Sequence, residues 1–302
     1  VQVFRHLPSS PSEPLALAIG NFDGMHLGHQ ALLSRLFEAA KAHNLTPAVM
    51  TFEPHPREFF TPLNAPERLC NLREKLEQFE VLGVKKVFVF AFNKSFAVIS
   101  AQDFLSVLRK KLNVDTILVG EDFKFGAKRA GTTADIKAHG FYLISLPKVN
   151  KGGERVSSTR VRDALANGDL NLAAQLLGRN YSISGKVVHG AARGRQLGFP
   201  TANIHMRHER PALTGVYAVK LDGLNAVANL GVRPTIAGVP KLLLEVHVLD
   251  FNGNLYDQHV HVEFLHKIRE EQKFESLDAL KAQIAQDIIV ARQYFNKQDV
   301  KN

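Results

Sequence analysis

The stretch Gly20-Asn21-Phe22-Asp23-Gly24-Met25-His26-Leu27-Gly28-His29 decides the fold of the first half of the chain. It follows a short apolar run, residues 15–19. It precedes helical spacing over residues 29–43, where Leu32, Leu33, Leu36 and Ala40 share one side. A strand that ends in a glycine-rich turn and opens a helix is where parallel sheets bind ligands. Gly20, Gly24 and Gly28 let backbone approach a phosphate closely. The helix N-terminus adds free N–H groups and partial positive charge. His26 and His29, three apart, can both face such a site and donate hydrogen bonds to the oxygens of a pentavalent phosphate, whose negative charge grows in the transition state. By itself the H-x-G-H pattern reads equally well as a glycine turn with incidental histidines. Zinc ligation by the pair lacks a third ligand at useful spacing.

Outward from this turn, strands are expected at residues 48–52, 87–92, 116–119 and 142–146. Helices are expected at 72–82, ended by Gly83, and at 101–112, capped by Ser100 with Asp103 in the first turn. This β-α order predicts a parallel sheet covered by helices. From about Tyr181 the pattern changes to short β-rich segments with turn signals. Asp222-Gly223, between runs 216–221 and 224–228, predicts a hairpin. Asn252-Gly253, between 243–251 and 255–264, predicts a second. Ser276 can cap a closing helix with Leu277, Leu280, Ile284 and Ile288 as its stripe. A small antiparallel barrel with a terminal helix fits. The boundary is expected within 178–185, giving domains 1–180 and 181–302.

The length, 302 residues, suits two domains. Lys and Arg outnumber Asp and Glu by 38 to 29, for +9, which suits solubility or phosphorylated substrates as well as nucleic acid. The densest runs, Arg109-Lys110-Lys111 and Lys85-Lys86, are short and read as solvated faces, so no nucleic-acid partner is expected. The single cysteine, Cys70, excludes an intrachain disulfide and a cysteine-based zinc site. No apolar run approaches the roughly 18 residues of a membrane span. Residues 1–14 lack the order of a secretory signal. A cytoplasmic protein without membrane partners is expected, of unspecified oligomeric state.

A second motif, Val156-Ser157-Ser158-Thr159-Arg160-Val161-Arg162, puts hydroxyls and guanidinium groups at a helix start. Alone it is more often just a helix cap. Paired with H-x-G-H it resembles the nucleotidylyltransferase signature. Thr51-Phe52-Glu53-Pro54-His55-Pro56 and Val119-Gly120-Glu121-Asp122-Phe123-Lys124-Phe125-Gly126 follow later strands. Phe52, Phe123 and Phe125 suit either plain core or a wall for a flat aromatic ring. In the second half, Gly185-Lys186-Val187-Val188-His189-Gly190 leads into Gly194-Arg195-Gln196-Leu197-Gly198-Phe199-Pro200-Thr201-Ala202-Asn203. Thr201 and Asn203 are neutral oxygen donors suited to Mg²⁺ shared with nucleotide phosphates. Glu245, inside the apolar run 242–248, reads as a solvent-facing residue or as a general base for a hydroxyl. Residues 229–235, Asn-Leu-Gly-Val-Arg-Pro-Thr, are expected to form a polar loop.

Together these motifs resemble the bifunctional riboflavin kinase/FMN adenylyltransferase family over nearly the whole chain. The resemblance implies an α/β, Rossmann-like adenylyltransferase domain and a β-barrel kinase domain, using ATP and Mg²⁺ to turn riboflavin into FMN and FMN into FAD. It implies that His26 and His29 are the adenylyltransferase histidines. Gly20, Asn21, Phe22, Asp23, Gly24, Ser157, Ser158, Thr159 and Arg162 would bind ATP there. Phe52, Asp122, Phe123 and Phe125 would bind flavin. Gly185, Lys186, Gly194, Arg195, Phe199, Pro200, Thr201 and Asn203 would bind ATP in the kinase, with Thr201 and Asn203 on Mg²⁺ and Glu245 as catalytic base. Leu255-Tyr256-Asp257 stands where the family usually has Leu-Tyr-Gly. Asp tolerates left-handed backbone, so a kept turn is expected. Rivals at this point are a single-activity enzyme, another nucleotidylyltransferase, and an RNA-binding flavin-responsive regulator.

Overall fold

The computed structural model describes residues 1–8, 13–190, 198–208, 210–233 and 241–300. By contacts the chain divides into two compact units, Val1–Pro66 with Leu72–Ser158, and Glu67–Asn71 with Thr159–Asn302.

The first unit runs β1 (Gln2–Phe4), β2 (Leu15–Ile19), α1 (Leu27–Ala42), β3 (Thr46–Glu53), α2 (Pro56–Phe60), α3 (Leu72–Val81) and β4 (Lys86–Ala91). It continues with α4 (Lys94–Ala97), α5 (Ala101–Leu112), β5 (Val114–Gly120), α6 (Thr133–Ala138) and β6 (Tyr142–Leu146). The short pair β7 (Asn150–Lys151) and β8 (Glu154–Arg155) completes it. The sheet order is β1-β4-β3-β2-β5-β6, every pairing parallel. The chain winds outward from β2 to one side and then resumes at β5 on the other. The crevice between β2 and β5 is therefore the switch point where such sheets bind ligands, and residues 20–29 and 120–126 leave from its two lips.

Alternation along β2 builds two core layers. Leu15, Leu17 and Ile19 pack with Met50, Phe88 and α5 on one face. Ala16 and Ala18 pack with Val49, Val87, α1 and α3 on the other. Ser100 caps α5, its side chain accepting from Asp103 N, and Asn113 ends it in the left-handed region.

The second unit holds α7 (Ser158–Ala166) from Thr159 on and α8 (Leu170–Leu177), which ends at left-handed Gly178. The strands β9 (Tyr181–Val188), β10 (Ala202–Met206), β11 (Gly215–Leu221), β12 (Leu224–Arg233), β13 (Lys241–Val248) and β14 (His259–Arg269) follow, then helix α9 (Leu277–Asp299). They close an antiparallel barrel in the order β10-β13-β12-β11-β14-β9. Tyr217 and Phe264 meet edge-on inside it. Arg269 forks onto the carboxylate of Asp287 at 2.8–3.1 Å, tying α9 to β14.

Three expectations are corrected. Asp222 (φ 45) and Gly223 (φ 88) do turn β11 into β12, but Asn252-Gly253 makes no hairpin. The connection after β13 crosses the ends of β10 and β9 to reach β14, bonding Val187 through Asp257 N and the Gln258 carbonyl, so residues 249–258 form a crossing loop whose left-handed residues are Asp250 and Asp257. Residues 229–233 are strand rather than loop; Pro234 and Thr235 lie outside the described residues. On α9 the packed stripe is Ile288, Ala291 and Phe295, and Leu277 is 70% exposed because the helix starts beyond the barrel surface it covers.

Candidate active sites

In the first unit the glycine turn uses left-handed backbone at Phe22 (φ 50), Gly24 (φ 82) and Met25 (φ 47). Non-glycine residues hold such angles only where packing enforces them. Here the Phe22 ring and the Met25 side chain are fully buried, so Phe22 offers a ligand only its backbone. His26 caps α1: its Nδ1 accepts from His29 N at 3.3 Å, and the two rings stack with centroids 3.7 Å apart. A Cβ at Gly28 would sit 3.1 Å from the His26 ring, so the glycine leaves that ring its place. Burial, then the charges of His26 and Lys75, hold the His29 pKa well below 6.5. His29 Nδ1 is buried and has no hydrogen-bond partner among the described residues. The neutral imidazole is therefore the favoured form. Ser158 Oγ donates to the carbonyl of Asp23 at 2.8 Å, fastening the second motif to the first. Arg162, one turn into α7, donates through Nε to the carbonyl of Glu67.

Beside Gly20 and Asn21 opens a cavity of about 740 Å³. Phe52, Phe92, Phe96, Phe104, Phe123 and Phe125 wall it, and Arg57, Lys124, Lys128 and Arg129 stand on its lining. Asp122 also lines it. Its carboxylate is held below the usual range by a 2.7 Å bond from Arg155, with Lys148 nearby. The loop carrying Phe123 and Phe125 returns at Gly126, whose φ of +71 brings it against the backbone of Ala101; a Cβ there would be 2.7 Å from Ala101 N. Apolar aromatic walls with cationic groups suit a flat ring system bearing an anion.

In the barrel, register places Glu245 of β13 directly opposite Asn203 of β10 and Asn229 of β12. All three are half-buried, and directly paired residues share a face. The row Asn203–Glu245–Asn229 thus presents a carboxylate between two amides. Gly190 lies against this row, where a Cβ would fall 2.3 Å from Asn203 Nδ2. His247, two residues from Glu245 on the same face, donates through Nδ1 to the carbonyl of Pro200 at 2.8 Å and meets the Phe199 ring edge-on. Thr201 lines a cavity of about 310 Å³ with Tyr256 and residues 251–255. Gly185 is buried within β9, where a Cβ would meet the His205 carbonyl at 2.6 Å, so strand packing accounts for it. Lys186 pairs with Asp257 at 2.8 Å, and Asp257 keeps the left-handed turn at φ 65. Gly194 and Arg195 lie outside the described residues.

Family profiles match twice, FAD synthetase over residues 9–160 and riboflavin kinase over residues 177–295. The bifunctional riboflavin kinase/FMN adenylyltransferase of Escherichia coli K12 is 46% identical over 98% of this chain and 97% of its own length. That of Haemophilus influenzae is 47% identical over 93% and 94%. The chain belongs to the bifunctional riboflavin kinase/FMN adenylyltransferase family. A solved structure described as a macrolide-efflux protein from Streptococcus pneumoniae is 31% identical and superposes with a TM-score of 0.81, over 96% of this chain and 98% of that one. Among the described residues, no helix of this family member is long and apolar enough to cross a membrane.

For a riboflavin kinase/FMN adenylyltransferase, sequence reasoning missed Phe92, Phe96, Arg57, Lys128 and Arg129 of the aromatic cavity, Asn229 beside Glu245, and His247. The chain has 20 Phe against 5 Tyr and no Trp, and that bias was the available signal for the cavity. The row Asn203, Glu245 and Asn229 can present side-chain oxygens throughout, and Thr201, two residues before Asn203, adds a hydroxyl on the neighbouring cavity. With the space that Gly190 leaves beside Asn203, this donor set fits a hard cation such as Mg²⁺.

Proposed function

We infer that the chain phosphorylates riboflavin to FMN in residues 181–302 and adenylylates FMN to FAD in residues 1–180, acting on small molecules in the cytoplasm. The cavity beside Gly20 and Asn21 carries the reading for the first domain, because aromatic walls and cationic groups adjoin a phosphate turn. FMN has the same two parts, a flat ring and a phosphate.

In the kinase, Glu245 accepts the proton of the riboflavin 5′-hydroxyl as that oxygen attacks the γ-phosphorus of ATP, and ADP leaves with the electrons of the broken P–O bond. Thr201 and Asn203 would hold Mg²⁺, which would supply neutralisation of phosphate charge. Asn229 and Asn203 flank Glu245 and orient its carboxylate. Gly194, Arg195, Lys186, Phe199 and Pro200 belong to the same nucleotide segment.

In the adenylyltransferase, the FMN phosphate is already an anionic nucleophile. One of its oxygens attacks the α-phosphorus of ATP, and pyrophosphate departs. Orientation and charge cancellation suffice. Neutral His29 and His26, the N–H groups at the start of α1, and the motif Ser157, Ser158, Thr159 and Arg162 supply them. Phe52, Phe123 and Phe125 hold the isoalloxazine ring, with Asp122 at its edge.

The test is incubation of the purified chain with riboflavin, ATP and MgCl₂, with flavins separated chromatographically over time. FMN followed by FAD, both lost with EDTA, is the expected result. FMN alone would remove the first-domain assignment, and no flavin product from folded protein would remove both.

A further inference from the structure

Lys75 sits on α3 within Leu72-Arg73-Glu74-Lys75-Leu76 and is only 3% exposed. A buried ammonium is destabilising unless a carboxylate or a set of carbonyls meets it. Among the described residues, no hydrogen bond or ion pair engages Lys75 Nζ. Its neighbour Glu74, also buried, has an interaction of its own, and adjacent helix positions point apart.

The packing of α3 aims this cation. Phe79, one turn further on the same face, meets Phe22 edge-on with centroids 5.2 Å apart, and Phe22 in turn contacts the His29 ring at 5.2 Å. The face of α3 that bears Lys75 therefore looks onto the 20–29 turn. The charge of Lys75 also reaches His29, where it joins burial and His26 in keeping that imidazole neutral. One ammonium and two imidazoles are thus gathered at a helix N-terminus, where free N–H groups and the helix dipole already favour an anion.

We propose that Lys75 is a phosphate-binding residue of the adenylyltransferase site, its ammonium contacting the part of the ATP phosphate chain that departs as pyrophosphate. This rests on the assignment of the 20–29 turn as the nucleotide site. Lys75 then favours the transition state, in which charge accumulates on the leaving group.

The test uses the full chain and Lys75→Met, which removes the charge and keeps the unbranched stem. FAD formation from FMN and ATP, FAD cleavage by pyrophosphate, and FMN formation from riboflavin are measured on the same preparation, with Tm. We expect kcat/KM for ATP in FAD formation to fall about 10- to 100-fold, as for loss of one charge-assisted hydrogen bond. The KM for pyrophosphate should rise, FMN formation should be unchanged, and Tm should be equal or higher. Lys75→Gln should behave likewise. FAD formation within about threefold of wild type overturns the proposal. So does a loss accompanied by a lower Tm and lost FMN formation, which marks a structural role. A wild-type chain that makes no FAD overturns the nucleotide-site assignment itself, and the proposal with it.

Discussion

Replacing Gly190 with alanine tests the nucleotide side of the kinase site without touching a chemical group. The Cβ would lie 2.3 Å from Asn203 Nδ2, 2.6 Å from Cγ and 2.8 Å from Oδ1, where ordinary contacts begin at 3.4 Å. The whole amide must therefore retreat by roughly 1 Å or turn away. Gly190 is not among the residues with positive φ, so alanine fits its backbone and Tm should move little. A misplacement of that size at a reacting centre costs about 100-fold in rate, or about 2.7 kcal/mol of transition-state stabilisation. The assay is the initial rate of FMN formation from riboflavin at varied ATP, beside FAD formation from supplied FMN. Gly190→Ala should lose the first and keep the second, and Asn203→Ala should match it. Kinase activity within about threefold of wild type in the folded Gly190→Ala variant would refute the placement of Asn203 at the nucleotide.

Other outcomes follow from the same geometry. Glu245→Gln should leave ATP binding, read by calorimetry, and collapse FMN formation; equal loss of both would contradict its role as base. His29→Ala should abolish FAD formation and spare FMN formation in the same product assay. Because the folded His29 pKa lies below 6.5, its contribution to stability is present above that value and is lost as pH falls toward the folded pKa. Denaturation between about pH 7 and 5 should show that slope in wild type and a weaker one in His29→Ala. Asp287→Ala strands Arg269 beneath α9, where the Asp287 side chain is 4% exposed. It should cost about 3–5 kcal/mol in chemical denaturation.

The first unit was largely legible because its signals are local. Ser100 and Asp103 cap α5 where the pattern says, Gly83 follows α3 in the left-handed region, and β2 alternates between two packed layers. The Asn252-Gly253 error shows where locality fails. Both dipeptides carry the same turn chemistry, but which strands pair is decided by closure of the barrel, a property no ten-residue window contains. Phe92 and Phe96 failed for another reason, since a ring on a cavity wall and a ring in a core share one hydropathy pattern. Lys75 was hidden among Arg73, Glu74 and Glu77, a spacing that reads as a solvated helix face until α3 is seen packed on Phe22.

The bond from Ser158 Oγ to the carbonyl of Asp23 spans 135 positions of sequence. During synthesis, at about 5–20 residues per second, the ribosome releases the two halves of that bond on the order of ten seconds apart. The glycine turn emerges early, but its fastening arrives only with the last residue of its unit. A nascent chain halted before Ser158 would carry the histidines and the cavity strands without the clasp that holds Asp23. The site spelled nearest the start of the chain is therefore among the last features of its unit to be completed.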